Sequence, residues 1–316
     1  MKLSRALQGN RFWASLARWR RALAHNVWDN PVTRKELRGR MRTGLAFITL
    51  SVYAASLSLF LVGFYAILVD ANTFAPSTYS TEELGGSLFG AVVGLEMVLI
   101  GFTVPNLTAG AVSGERERQT YDLLRVTLLP AHTLILGKLT AALGYAGLLL
   151  VVAVPLQSVA FFFGGVNAVL IWLSLWMMAL EALLLASVGL YFSSRSKRTF
   201  SAKALTYVAL AFLVLGLPLA GGWVMTMRAN APAYQMPSVW VTLVVGVLVC
   251  FNPALALLLT YSLYTKSSSL FLFSYTAGNG PTLTLPSPWI VFSVLYLGLA
   301  AIFLGLAVRR VRRVEG

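Results

Sequence analysis

The sequence predicts an all-α integral membrane protein: six transmembrane helices, N-terminal amphipathic interfacial helices, and a re-entrant helix pair before the last span. Three observations predict it. The mean hydropathy is +0.75, with 58% of the 316 residues apolar and only 11% charged, which excludes a soluble globular domain. Apolar runs recur that are long enough to cross a ~30 Å hydrocarbon core at ~1.5 Å per helical residue. Of the 25 Lys and Arg residues, 23 fall in segments that this layout puts on one side of the membrane, as the positive-inside tendency requires.

Residues 1–43 carry eleven Lys and Arg against Asp29 and Glu36. Phe12, Trp13, Leu16, Trp19 and Leu23 recur at helical spacing, and Trp28 follows. Tryptophans interleaved with cations this close to a span indicate a helix lying on an anionic leaflet rather than a nucleic-acid arm. Asn30-Pro31 breaks that helix, and a second interfacial helix runs to Arg42. The first apolar run begins only after this polar stretch, so no cleavable signal peptide is expected and the first span itself directs insertion.

The first span covers about 44–69. A polar segment with Asp70, Glu82 and Glu83 follows, and the second span covers about 84–108. Gly86, Gly90 and Gly94 lie four apart there, a stripe that would let another helix approach closely, although chance in a Gly-rich span produces the same pattern. The segment 114–138, GERERQTYDLLRVTLLPAHTLILGK, is charged and amphipathic. Tyr121, Leu124 and Leu128 share one helical face, and Arg118, Asp122 and Arg125 fall at offsets of four and three. An interfacial helix fits, ended by Pro130, with Gly137-Lys138 opening the third span; a solvated loop of helical character fits the same spacing. The third span ends near Phe163, the fourth covers about 168–192, the fifth about 204–227 and the last about 289–308.

The run from Val239 to Tyr264 is ambiguous. As a full crossing it would put the Arg309, Arg310, Arg312 and Arg313 cluster opposite the basic N-terminus. Asn252-Pro253 interrupts it, and each half is ~18 Å of helix, too short to cross. It therefore reads as two half-helices that dip in and return.

Glu96 and Glu181 stand near the middle of their spans, where a charged side chain costs ~2.5–3.5 kcal/mol on insertion scales. Each is either a substrate or cation contact or an interhelical hydrogen-bonding group. No intramembrane Lys or Arg is at hand to pair with them. His25 and His132 have neither metal-ligand spacing nor a nucleophile partner, so no catalytic residue and no metal site are assigned. Cys250, the single cysteine, cannot form an intrachain disulfide. Gly137-Lys138 lacks the glycine six residues before the lysine and the Ser or Thr after it, so no cofactor or nucleotide is expected to bind this chain.

Two stretches resemble ABC-2 type transporter permeases. One is Glu115-Arg116-Glu117-Arg118-Gln119-Thr120-Tyr121-Asp122-Leu123-Leu124, then Thr127, Ile135 and Gly137-Lys138. The other is Asn30-Pro31-Val32 with Lys35-Glu36-Leu37-Arg38 and Arg40, which looks like that family's connecting helix. Many members have Gly at the place of Gln119 and Pro at that of Leu128. The resemblance implies a basic arm and connecting helix (1–43) and a six-span domain (44–316) that contains a coupling segment (114–138) and a re-entrant segment (239–264). It implies a homo- or heterodimer with a second permease subunit, joined by two copies of a separate ATPase subunit that bind ATP and Mg. Glu115, Glu117, Arg118, Asp122 and Arg125 would make the polar contact with that ATPase, and Leu123 and Leu124 the apolar one. It further implies the inner (plasma) membrane, cytoplasmic termini and, most commonly, export. The rival readings are an integral-membrane lipid-modifying enzyme, with Glu96 and Glu181 as acid and base, and a non-transporting scaffold.

Overall fold

The computed structural model describes residues 31–42, 44–74, 80–119, 130–229, 239–267, 269–276 and 282–315. The expected N-terminal amphipathic helix, and Asp122, Leu123, Leu124 and Arg125, lie outside these residues. Among the described residues, six helical stretches are long and apolar enough to cross a membrane: Ala46–Asp70, Glu82–Glu117, Ala131–Phe162, Ala168–Arg195, Thr199–Met227 and Pro288–Arg312. The chain is a multi-pass helical membrane protein.

Helix α1 (Pro31–Met41) opens on a proline, whose fixed φ and missing N–H suit a first helical turn. α2 (Gly44–Phe74) turns Phe47, Leu59 and Ile67 outward, as a chain solvated by lipid should. α3 (Thr81–Thr108) starts at a capping box: Ser80 Oγ accepts from Glu83 N, and Glu83 Oε2 accepts from Ser80 N at 2.8 Å. A short helix, α4 (Ser113–Glu117), follows it at the same end. Gln119 then takes a positive φ of 57°.

α5 (Ala131–Phe162) begins directly after Pro130. This corrects the expectation that Gly137-Lys138 opens the third span. The helix starts two turns earlier because Lys138 is not left unpaired inside it, as described below. α6 (Ala168–Arg195) is the most enclosed span, and it packs against α3, α5 and the last helix. Its N-cap, Asn167, accepts from Leu170 N at 3.0 Å. The approach of α3 to its neighbours depends on missing side chains. A Cβ on Gly85 would sit 2.0 Å from Gly164 O, one on Gly86 2.2 Å from Tyr261 Oη, and one on Gly189 2.1 Å from Thr108 Oγ1. Gly90 approaches Leu258 more loosely, and Gly94 faces open space.

The fifth span is two helices, α7 (Thr199–Ala211) and α8 (Leu217–Ala229), joined by a π-helical turn at Phe212–Gly216. In a regular helix the Val214 carbonyl would accept from residue 218, which is a proline without an N–H. Here it accepts from Asn252 Nδ2 at 3.2 Å. Asn252 lies in the break between α9 (Val239–Val249) and α10 (Pro253–Ser267), and its Oδ1 caps α10 by accepting from Leu255 N at 3.0 Å. Farther along α10, the Tyr264 hydroxyl accepts from Asn167 Nδ2 at 2.7 Å, at the α5–α6 turn.

The all-α expectation omits one feature, an antiparallel hairpin of β1 (Leu272–Thr276) and β2 (Thr282–Pro286) between α10 and the last helix. The period-two alternation of Thr282-Leu283-Thr284-Leu285, with Gly278-Asn279-Gly280 before it in sequence, is a hairpin signal. The hairpin base is tied to α11 (Pro288–Glu315) by Ser287 N donating to Phe271 O at 2.9 Å and Trp289 Nε1 donating to Leu270 O at 2.8 Å. Within α11 the buried Tyr296 hydroxyl donates to Phe251 O at 2.8 Å, fixing the α9–α10 break against the last span.

Candidate functional site

Among the described residues, two buried polar centres join helices of this apolar bundle. The first is at the end of the bundle where α1, α4 and the start of α5 meet. Lys138 stands two turns into α5 with a side chain only 2% exposed. Its ammonium donates to Glu36 Oε1 of α1 at 3.1 Å and to Glu115 Oε1 of α4 at 2.8 Å. One cation thus holds three elements, and two carboxylates offset its desolvation. Thr33 reinforces the joint: its hydroxyl is 2.8 Å from Thr140 Oγ1 and 3.3 Å from Gly137 O. Glu117 reaches the α6–α7 turn, where its carboxylate accepts from Thr199 N at 3.0 Å and from Thr199 Oγ1 at 2.5 Å. Ser193 Oγ of α6 accepts from Val112 N at 2.9 Å and Ser113 N at 3.0 Å. The α3–α4 junction is therefore anchored on both sides. Of the residues expected to contact a partner, Glu115 and Glu117 are engaged within the chain, while Arg118 is exposed.

The second centre lies within the spans. Glu96 is fully buried and its Oε2 accepts from Gln157 Nε2; Gln157 Oε1 in turn accepts from Ser174 Oγ at 2.8 Å. This chain joins α3, α5 and α6, an interhelical bond of the kind that polar residues make in lipid. Nothing in the sequence marks Gln157 or Ser174, since a lone amide or hydroxyl in an apolar run carries no pattern. Glu181 differs. It is 3% exposed, its Oε2 is enclosed, and neither of its oxygens has a hydrogen-bond partner among the described residues. It lines a cavity of about 400 Å³ whose other walls include Gly101 of α3, Val214 of the π turn and Asn252 with Pro253 of the α9–α10 break.

At the end where α6 and α11 finish, Arg195, Arg309 and Arg310 with Tyr191 and Leu306 line a second cavity of about 310 Å³. This end also carries α1 and the Lys138 joint. Among the described residues no three His, Cys, Asp or Glu side chains gather as metal ligands would.

The fold and these centres define a multi-pass helical membrane protein, with six candidate spans among the described residues, a pinned polar joint at its basic end and an acid-bearing cavity between its helices. The chain matches no protein-family model and no curated protein sequence.

Proposed function

We propose that this chain is the membrane-spanning permease subunit of an ABC-2 type transporter. It works as a dimer of such subunits in the plasma (inner) membrane, with both termini cytoplasmic and export as the direction. Two copies of a separate ATPase subunit bind ATP and Mg and drive it. One observation carries the reading. Glu36 belongs to one of the two stretches on which the family resemblance rests, Glu115 and Lys138 to the other, and the buried Lys138 ammonium pairs with both carboxylates. Pieces 102 and 23 residues apart are thereby joined into one mechanical unit.

The mechanism follows from that joint. Closure of the ATPase dimer pushes on the segment 115–129. A flexible loop would absorb the stroke, but Lys138 ties Glu115 to α5 and α1, and Glu117 with Ser193 ties it to α6 and α7. The push then moves several spans together and rocks one subunit against its partner, opening the path alternately to either side. The α9–α10 pair acts as the re-entrant element. This is supported by its break lying beside the π turn of the fifth span while α10 leads back to the α5–α6 turn.

The test is affinity purification of the tagged full chain from its native membrane in mild detergent. An ATP-binding cassette ATPase should co-purify at equal stoichiometry and be lost on Arg118→Ala, with insertion and thermal unfolding unchanged. A monodisperse, folded chain that brings down no such ATPase contradicts the reading.

A further inference from the structure

We propose that the Glu181 cavity is a binding site for an apolar amine that enters from the bilayer: a hydrophobic body of drug-like size carrying one basic nitrogen.

Polar side chains are few in the cavity wall. Fifteen residues line it, and three have polar side chains: Tyr207, Asn252 and Glu181. The Tyr207 hydroxyl donates to Phe102 O at 2.8 Å. Asn252 uses its amide nitrogen on Val214 O and its amide oxygen on Leu255 N. Of the three, Glu181 alone makes no hydrogen bond to the described residues, and its Oε2 is buried. A buried carboxyl without a donor is costly in an apolar surround. A ligand that supplies a donor, and a positive charge to match a carboxylate, removes that cost.

The shape sets the rest of the ligand. About 400 Å³ lies in the range of drug-sized pockets, and the remaining wall is Gly, Ala, Val, Leu, Met, Phe and Pro. Val98, Phe102 and Leu215 on the rim are exposed on the span surface, so the mouth opens toward lipid or a second subunit rather than toward water. Two backbone irregularities, the π turn and the α9–α10 break, meet in this wall and are bonded to each other. A π turn inside a long helix commonly marks a functional position. Here it shapes a concave wall that a regular helix would not.

Binding needs only the cavity; the permease reading adds that the occupant is cargo. Loss of the ATPase partner with amine binding intact would sink the permease reading alone, and the converse would sink this one alone.

The experiment uses the full chain in nanodiscs of neutral phosphatidylcholine, with dansylcadaverine as probe and its N-acetyl derivative as the uncharged match. Saturable binding of the amine is expected, at least tenfold tighter than that of the acetylated dye. Glu181→Gln should weaken the amine at least tenfold and leave the acetylated dye unchanged. Gly101→Leu should abolish saturable binding, because its side chain grows into open space without meeting a neighbour. Equal affinity for the two dyes in the unaltered chain overturns the proposal, as does full amine binding in either variant. Should Glu181→Gln fail to fold, the dye comparison and Gly101→Leu decide the matter.

Discussion

Lys138 joins α1, α4 and α5 through two carboxylates. Breaking a buried ion pair by removing one partner costs ~3–5 kcal/mol. Glu36 and Glu115 retain 25% and 21% exposure, so solvent screening reduces that to about 1–3 kcal/mol for Lys138→Met. Thermal unfolding of the purified chain should fall accordingly, and Glu115→Gln added to the same chain should cost less than it does alone. Additive losses would show that the two side chains do not share an interaction. Gly85 makes a second prediction at this scale. Gly85→Ala drives a methyl into the Gly164 carbonyl and should destabilise by about 1–3 kcal/mol, whereas Gly101→Ala meets nothing and should leave the unfolding temperature in place. Neither contrast is legible from the sequence. Both glycines sit in one apolar run, and spacing marks Gly86, Gly90 and Gly94 as a stripe while passing over Gly85 and Gly189, where the backbone or a side chain comes within 2.0–2.1 Å of the missing Cβ.

Among the elements, the fifth span departs most from a plain helix. Pro218 withdraws a donor, the chain widens into a π turn, and Asn252 supplies a replacement from another element. Asn252→Ala would leave the Val214 carbonyl short of a donor and α10 without its cap. A loss of about 1–3 kcal/mol is expected, read as a lower unfolding temperature, and weaker dansylcadaverine binding should accompany it. Unchanged stability would mean that the π turn satisfies its own carbonyls. The sequence did mark Asn252-Pro253 as a break, because proline there removes a helix hydrogen bond and clashes with the preceding turn. It did not mark Asn252 as a bridge, since its partner lies 38 residues away and pairing across that distance depends on packing. The same contrast holds at the start of α5. Gly137-Lys138 looks like a span boundary because a lysine is costly in lipid, yet two carboxylates brought by other elements let the helix begin at Ala131.

At the scale of the whole molecule, six spans follow from hydropathy and length alone, and the structure places six helices of sufficient length and apolarity where the apolar runs lie. Those runs are legible because the bilayer imposes one rule on every span, backbone groups satisfied within the helix and apolar side chains outside. The cavity is not legible, because Gly94, Met97, Glu181, Tyr207 and Asn252 come from four segments that only the packed bundle unites. Under the proposed function, an even number of crossings puts Arg118, Lys138 and the arginines that end α11 on one side, the side on which the proposed ATPase would act. Cys250 is the chain's single cysteine and is buried, so introduced thiols can be read almost without background. Arg118→Cys, Arg312→Cys and Ser274→Cys, each placed at an exposed position, should be treated with a membrane-impermeant maleimide in intact cells and again after lysis. Labelling at residue 274 in intact cells, and at 118 and 312 only after lysis, is the predicted result; labelling of 118 or 312 from outside would contradict it.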